Sequence, residues 1–179
     1  MLSHSPKPRN PENKSFIKDA ELEQQKTISA ETSEQALSTT KISIEAIKAA
    51  AIIFIVDDYE EVGSMLKEFL AMLGFQSVEC FKNSLDVIAM IESGEKAPHL
   101  VISDFRMPGI DGKKLHTELC NRLKQSRPEF ILLTGFANDI KDTKPGFSVV
   151  NKPFDIDQFE QMVIEHLRRH PTFRKKTSI

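Results

Sequence analysis

Between Ile52 and Leu167 the chain alternates short apolar runs with stretches whose apolar residues recur at helical spacing. Ile52-Ile53-Phe54-Ile55-Val56 is unbroken, the pattern of a strand buried on both faces. Val62, Met65, Leu66, Phe69, Leu70 and Leu73 follow at i, i+3, i+4, i+7, i+8 and i+11, which predicts an amphipathic helix stopped at Gly74. Phe75–Phe81 is a more polar strand suited to a sheet edge, and Leu85, Ile88 and Ile91 mark a helix ending near Gly94. Leu100–Ser103 is the third strand, followed by a Pro/Gly loop and a helix carrying Leu115, Leu119 and Leu123. Phe130–Leu133 and Phe147–Val150 are strands four and five, and Ile156, Phe159, Met162, Val163 and Leu167 form the last helix. Residues 137–146, where a fourth helix belongs, hold only Ile140 as a large apolar side chain and end in Pro145-Gly146, so at most a turn or two is expected. Five such βα units predict an α/β fold around a five-stranded parallel sheet.

Outside this block the texture changes. Residues 1–50 are rich in Ser, Thr, Glu, Gln, Lys and Pro without sustained periodicity, and read as an extension that is disordered or partly helical. Ile44, Ile47 and Ala51 behind Ser43 permit a short amphipathic helix or a fraying linker. The folded domain is expected over 51–169, and 170–179 reads as a basic tail. From His166 to Lys176 there are five Lys or Arg and no acid, the composition of a solvated segment able to touch an anionic partner.

The 179 residues and formal net charge of −2 suit one compact domain with tails, and near-neutrality argues against wholesale nucleic-acid binding. No apolar run reaches the roughly 18 to 20 residues of a membrane span, and the polar N-terminus lacks a signal-peptide core, so a cytoplasmic protein away from the membrane is expected. Cys80 and Cys120 have no neighbouring Cys or His at ligand spacing in a zinc or disulfide pattern.

In an open parallel sheet, ligands bind beyond the carboxyl ends of the strands. Those ends carry Asp57 and Asp58, Asp104, Thr134 and Lys152. Singly, each has an ordinary explanation: Asp58 with Glu61 as a capping box, Asp104 as a turn residue, Thr134-Gly135 as a turn, Lys152 as a solvated strand end. Jointly they place three carboxylates, a hydroxyl and an amine on one edge. Carboxylates about 5 Å apart repel by roughly 3 kcal/mol per pair at an effective dielectric near 20, which calls for a cation. All-oxygen donors suit Mg²⁺ or Mn²⁺, while Lys152 and Thr134 suit anionic oxygens, together describing a phosphoryl site.

These segments, IIFIVDD (52–58), LVISDFRMPGIDG (100–112), FILLTG (130–135) and VVNKPF (149–154), resemble the receiver domain of two-component response regulators over about residues 51–169. The resemblance implies a doubly wound, flavodoxin-like sheet of order 2-1-3-4-5. It further implies that Asp104 is the phosphoacceptor, with Asp57, Asp58, Asp104 and the backbone carbonyl of Arg106 holding Mg²⁺. Thr134 and Lys152 would bind the phosphoryl group, and the Lys152-Pro153 peptide is expected to be cis. Asp104 would be phosphorylated by a histidine kinase or histidine phosphotransfer protein, and slow self-dephosphorylation rather than enzymatic turnover is expected, with Arg106 and Phe136 near the mouth.

Two departures from the family pattern stand out. Receivers commonly carry Tyr or Phe three residues before the Lys, where this chain has Val149, and Thr134 and Lys152 are about one helical turn closer than usual. The phosphorylation chemistry should survive, whereas the Thr-to-aromatic switch is in doubt. Too few residues follow the last helix for a DNA-binding unit, so a stand-alone receiver acting on another protein is expected. Its rival is a constitutive receiver-fold interaction module that works without phosphate. A phosphohydrolase of the haloacid dehalogenase type would need an acid where Arg106 stands, and a flavin phosphate would be repelled by Asp57 and Asp58. His4, His99 and His116 lack carboxylate partners at useful spacing, and residues 15–51 contain no His to serve a phosphotransfer helix.

Overall fold

In a computed structural model of the chain, residues 42–136 and 146–174 are described. The weak fourth helix expected within 137–146 falls almost wholly outside them, as do the extension up to Lys41 and the last five residues.

The period-two alternation of strand side chains divides the interior into two layers. Strands β1 (Ile52–Val56), β2 (Ser77–Phe81), β3 (Leu100–Asp104), β4 (Glu129–Thr134) and β5 (Ser148–Asn151) form one parallel sheet in the order β2-β1-β3-β4-β5. Ile53, Ile55, Leu100, Ile102, Ile131, Leu133 and Val150 point to one face, and Phe54, Val56, Val101, Phe130 and Leu132 to the other. The first face is covered by helices α1 (Ile44–Ala50), α2 (Glu60–Met72) and α5 (Ile156–Arg169), the second by α3 (Ser84–Glu92) and α4 (Gly112–Leu123). Strand β1, flanked on both sides, needed an apolar run rather than alternation, and that is what its sequence holds. Helix starts are set locally: Asn83, Asp111 and Asp155 each accept a hydrogen bond from the N–H three residues on. Gly74, at φ +95°, ends the turn after α2 in a conformation other residues resist.

Both flanks of the βα block are built into the core. Ser43 caps α1, whose Ile47 is fully buried against the α2/α5 layer, contributing about 2 to 3 kcal/mol by removal of apolar area from water. Lys48 pairs with Glu160 of α5 at 2.6 Å. At the other end the chain read as solvated from His166 packs inward through His166, Leu167, His170 and Phe173. Charge dominates that stretch in the sequence, yet Arg168, Arg169 and Arg174 stay exposed while the intervening rings fill space beside His99. Among the described residues no helix is long and apolar enough to cross a membrane.

Candidate functional site

Parallel strands end in register, so residues far apart in sequence meet along the carboxyl edge. Asp57 leaves β1 and is tied to β2 by its N–H to the carbonyl of Phe81. Asp104 closes β3, Thr134 closes β4, and Lys152 follows β5 with its N–H on the Thr134 carbonyl at 2.6 Å. The Lys152-Pro153 peptide is cis.

The Lys152 ammonium donates to Asp104 Oδ1 at 2.6 Å and to Asp57 Oδ2 at 3.1 Å. The other oxygens of both carboxylates are held by the backbone two residues on: Asp57 Oδ1 accepts from the N–H of Tyr59 at 3.0 Å and Asp104 Oδ2 from that of Arg106 at 2.8 Å. Thr134 Oγ1 accepts from the N–H of Phe136 at 3.1 Å. These groups line a cleft of about 310 Å³ with Asp58, Tyr59, Val62 and Gly135, and the Arg106 guanidinium lies over the Phe136 ring, 4.4 Å from its centre, at the mouth.

Burial and charge oppose each other here. Asp57 is 3% exposed, and desolvation pushes its carboxyl above the usual range despite the Tyr59 hydrogen bond and the Lys152 charge. Desolvation alone would lower Lys152, but its hydrogen bond to Asp104 and the two carboxylate charges outweigh it and hold the ammonium above its ordinary pKa. Lys152 is therefore the cation that the close approach of Asp57 and Asp104 requires.

Asp58 does not take the capping role that its sequence position allows. Tyr59 is the N-cap of α2 and no side chain caps that helix, so the capping box with Glu61 does not form. Asp58 Oδ1 is instead buried without a hydrogen-bond partner among the described residues. An orphaned carboxylate oxygen costs stability unless something completes it, and its place beside Asp57 and Asp104 fits a hard, oxygen-seeking cation. No three Asp, Glu, His or Cys side chains among the described residues are already gathered as a ligand cluster. The acidic edge thus fits a divalent ion through Asp57, Asp58 and Asp104 only with the carboxylates turned toward it.

One structural requirement is less visible in sequence. A Cβ on Gly112, at the start of α4, would lie 2.4 Å from the backbone oxygen of Asp104 and 2.6 Å from Leu132, so this glycine lets α4 approach β3. The Gly in the loop after Asp104 signals a turn, but not this contact. Val149, three residues before Lys152, is half-buried in β5, and Phe147 packs beside His116.

Comparison with known proteins agrees with this geometry. A family model described as the response regulator receiver domain matches residues 53–164. The chain is 31% identical over 118 residues to the DNA-binding transcriptional regulator NtrC of Salmonella typhimurium, an alignment covering 63% of this chain but 24% of that protein. It is 28% identical over 121 residues to sporulation initiation phosphotransferase F of Bacillus subtilis, covering 64% of this chain and 92% of that one. Among solved structures, the response regulator TrrA of Thermotoga maritima, in complex with Mg²⁺-BeF, is similar at 27% identity and a TM-score of 0.57, over 64% of this chain and 97% of that one. A CheY-like receiver domain from Methylobacillus flagellatus gives 25% identity and the same TM-score over 65% and 98% of the two chains. The chain spans about a quarter of the length of NtrC, the larger protein it matches.

Proposed function

The chain belongs to the response regulator receiver family, and from that premise we propose that Asp104 accepts a phosphoryl group from the phosphohistidine of a histidine kinase or histidine phosphotransfer protein. The observation that carries this is the Asp104 carboxylate at the end of β3, held between the Lys152 ammonium and the Arg106 N–H and opening onto the cleft.

A carboxylate oxygen of Asp104 forms the new O–P bond as the P–N bond of the phosphohistidine breaks, and the bonding pair leaves with the imidazole. Asp57, Asp58, Asp104 and the backbone carbonyl of Arg106 would hold Mg²⁺, or Mn²⁺ in its stead, which when bound neutralises charge on the transferring oxygens. Lys152 supplies the protein's own positive charge, and its contact with Asp104 orients the acceptor. Thr134, at the end of the adjoining strand β4, would hydrogen-bond a phosphoryl oxygen. Water attack on the aspartyl phosphate returns Asp104, so the phosphorylated form decays slowly, with Arg106 and Phe136 governing access at the mouth. Output follows by phosphorylation-dependent binding of another protein in the cytoplasm.

Intact-protein mass after incubation with acetyl phosphate, with and without Mg²⁺, tests the assignment. One Mg²⁺-dependent phosphate on the wild type and none on Asp104→Asn is expected; an equal phosphate on both would remove Asp104 as acceptor. A second reading, a phosphorylation-independent interaction module, is favoured by Val149 at the position of the switch aromatic. It predicts a partner affinity that beryllofluoride leaves unchanged.

A further inference from the structure

At the end of the sheet opposite Asp104, two adjoining hollows share Arg127, Glu129 and Arg169. The larger, about 420 Å³, adds Lys124 and Arg174, and the smaller, about 170 Å³, adds Phe147 and Ser148. Four cations thus surround one carboxylate in a chain whose formal net charge is −2. Arg169 reaches an acid only at 3.8 Å, to exposed Glu165, and Lys124, Arg127 and Arg174 have no ion pair with the described residues. Arg169 and Lys124 also lie at the carboxyl ends of α5 and α4, where cations offset helix dipoles. That accounts for two of the four; Arg127 follows a single 3-10 turn (Lys124–Ser126) in the connection to β4, and Arg174 lies beyond α5.

We propose that this groove binds a phosphate-bearing small molecule of nucleotide size, its phosphates among Lys124, Arg127, Arg169 and Arg174 and its uncharged part toward Phe147 and Ser148. The division of labour follows from chemistry. Guanidinium groups pair bidentately with phosphate oxygens. Glu129, half-buried between the hollows, repels phosphate but accepts from a hydroxyl or amino group, and so fixes which end of the ligand faces it. The same carboxylate, on a chain of net charge −2, disfavours the continuous backbone of a nucleic acid. The volume lies in the range of small-ligand sites.

The test is titration of the ¹⁵N-labelled full chain with ATP, with inorganic triphosphate and with a single-stranded DNA oligonucleotide, followed by amide shifts. Saturable ATP shifts at residues 124–129 and 146–148 are expected, with triphosphate moving only the first group. Arg127→Gln combined with Arg169→Gln, both exposed positions, should weaken ATP binding about tenfold or more while leaving acetyl-phosphate labelling of Asp104 intact. Glu129→Gln should tighten triphosphate and narrow the preference for ATP. Absence of saturable shifts into the millimolar range, shifts centred on Asp57, Asp104 and Lys152 alone, or tighter binding of the oligonucleotide than of ATP would each overturn the proposal.

Discussion

The two ends of one sheet are finished in opposite ways. At the carboxyl edge, Asp57 and Asp104 share the Lys152 ammonium, Asp58 keeps a buried oxygen unpartnered among the described residues, and a cleft leaves the group open to solvent. At the amino edge, His99 accepts from the N–H of Ile52 through Nδ1, and its ring is closed over by His170 and Phe173, 5.0 and 4.9 Å away between ring centres. At one edge the charged groups line an open cleft; at the other the start of β1 is covered by the chain's own C-terminal segment, beside the basic hollows at the start of β4. Each end nevertheless leaves one buried polar atom without a hydrogen-bond partner among the described residues, Asp58 Oδ1 at the first and His170 Nε2 at the second, and each costs stability.

The sharpest way to break this contrast is to open the sealed end. Phe173→Ala should lower unfolding free energy by about 3 kcal/mol, as for other buried Phe truncations, and leave the rate of acetyl-phosphate labelling unchanged. Urea denaturation beside a labelling time course checks both halves; a large loss of labelling would show the ends to be coupled. At the reactive end, Gly112→Ala should cost about 2 kcal/mol by overpacking and also slow labelling, because the new methyl presses on the backbone of Asp104.

A pH scan separates the ends by sign. Burial, with the neighbouring His99 charge, depresses His170 to about 4. The unfolded chain therefore takes up this proton first, and stability should fall as pH drops from about 6.5 to about 4, by about 2 to 3 kcal/mol for this group. In His170→Phe that share of the slope should vanish in thermal melts, while the smaller share from His99 and His166, also lowered by burial, persists. Lys152 behaves oppositely. Its raised pKa stabilises the fold at all pH below the ordinary lysine value, and this is lost as pH rises through the folded value. Lys152→Met should cost about 1 kcal/mol near neutrality, discounted for its partial exposure, and the deficit should shrink in acid as Asp57, raised by burial, protonates. A deficit that grows in acid would mean that Lys152 does not serve to offset the carboxylates.

The reactive end was legible in the residues because each of its groups sits one step past an apolar run, and a parallel sheet brings such positions together whatever lies between them. The sealed end was hidden for the converse reason. His99, His170 and Phe173 carry no shared motif, and the positive charge of Arg168, Arg169 and Arg174 makes their segment look solvated. Ile47 was ambiguous likewise: a seven-residue helix has too little pattern of its own, and its existence depends on the α2/α5 layer that covers it.

Hydrophobic order along the chain determined the five strands, the two-layer interior and the carboxyl edge where acids, hydroxyl and amine gather, because burial of apolar period is a local instruction repeated at every strand. Only the tertiary structure decided that Lys152 bridges Asp57 and Asp104, that Asp58 keeps an unpartnered oxygen instead of capping a helix, and that both flanks belong to the core. Those outcomes rest on distances between segments up to 112 residues apart, where the partner that completes a charge or covers a ring is supplied by another strand or helix and leaves no local trace.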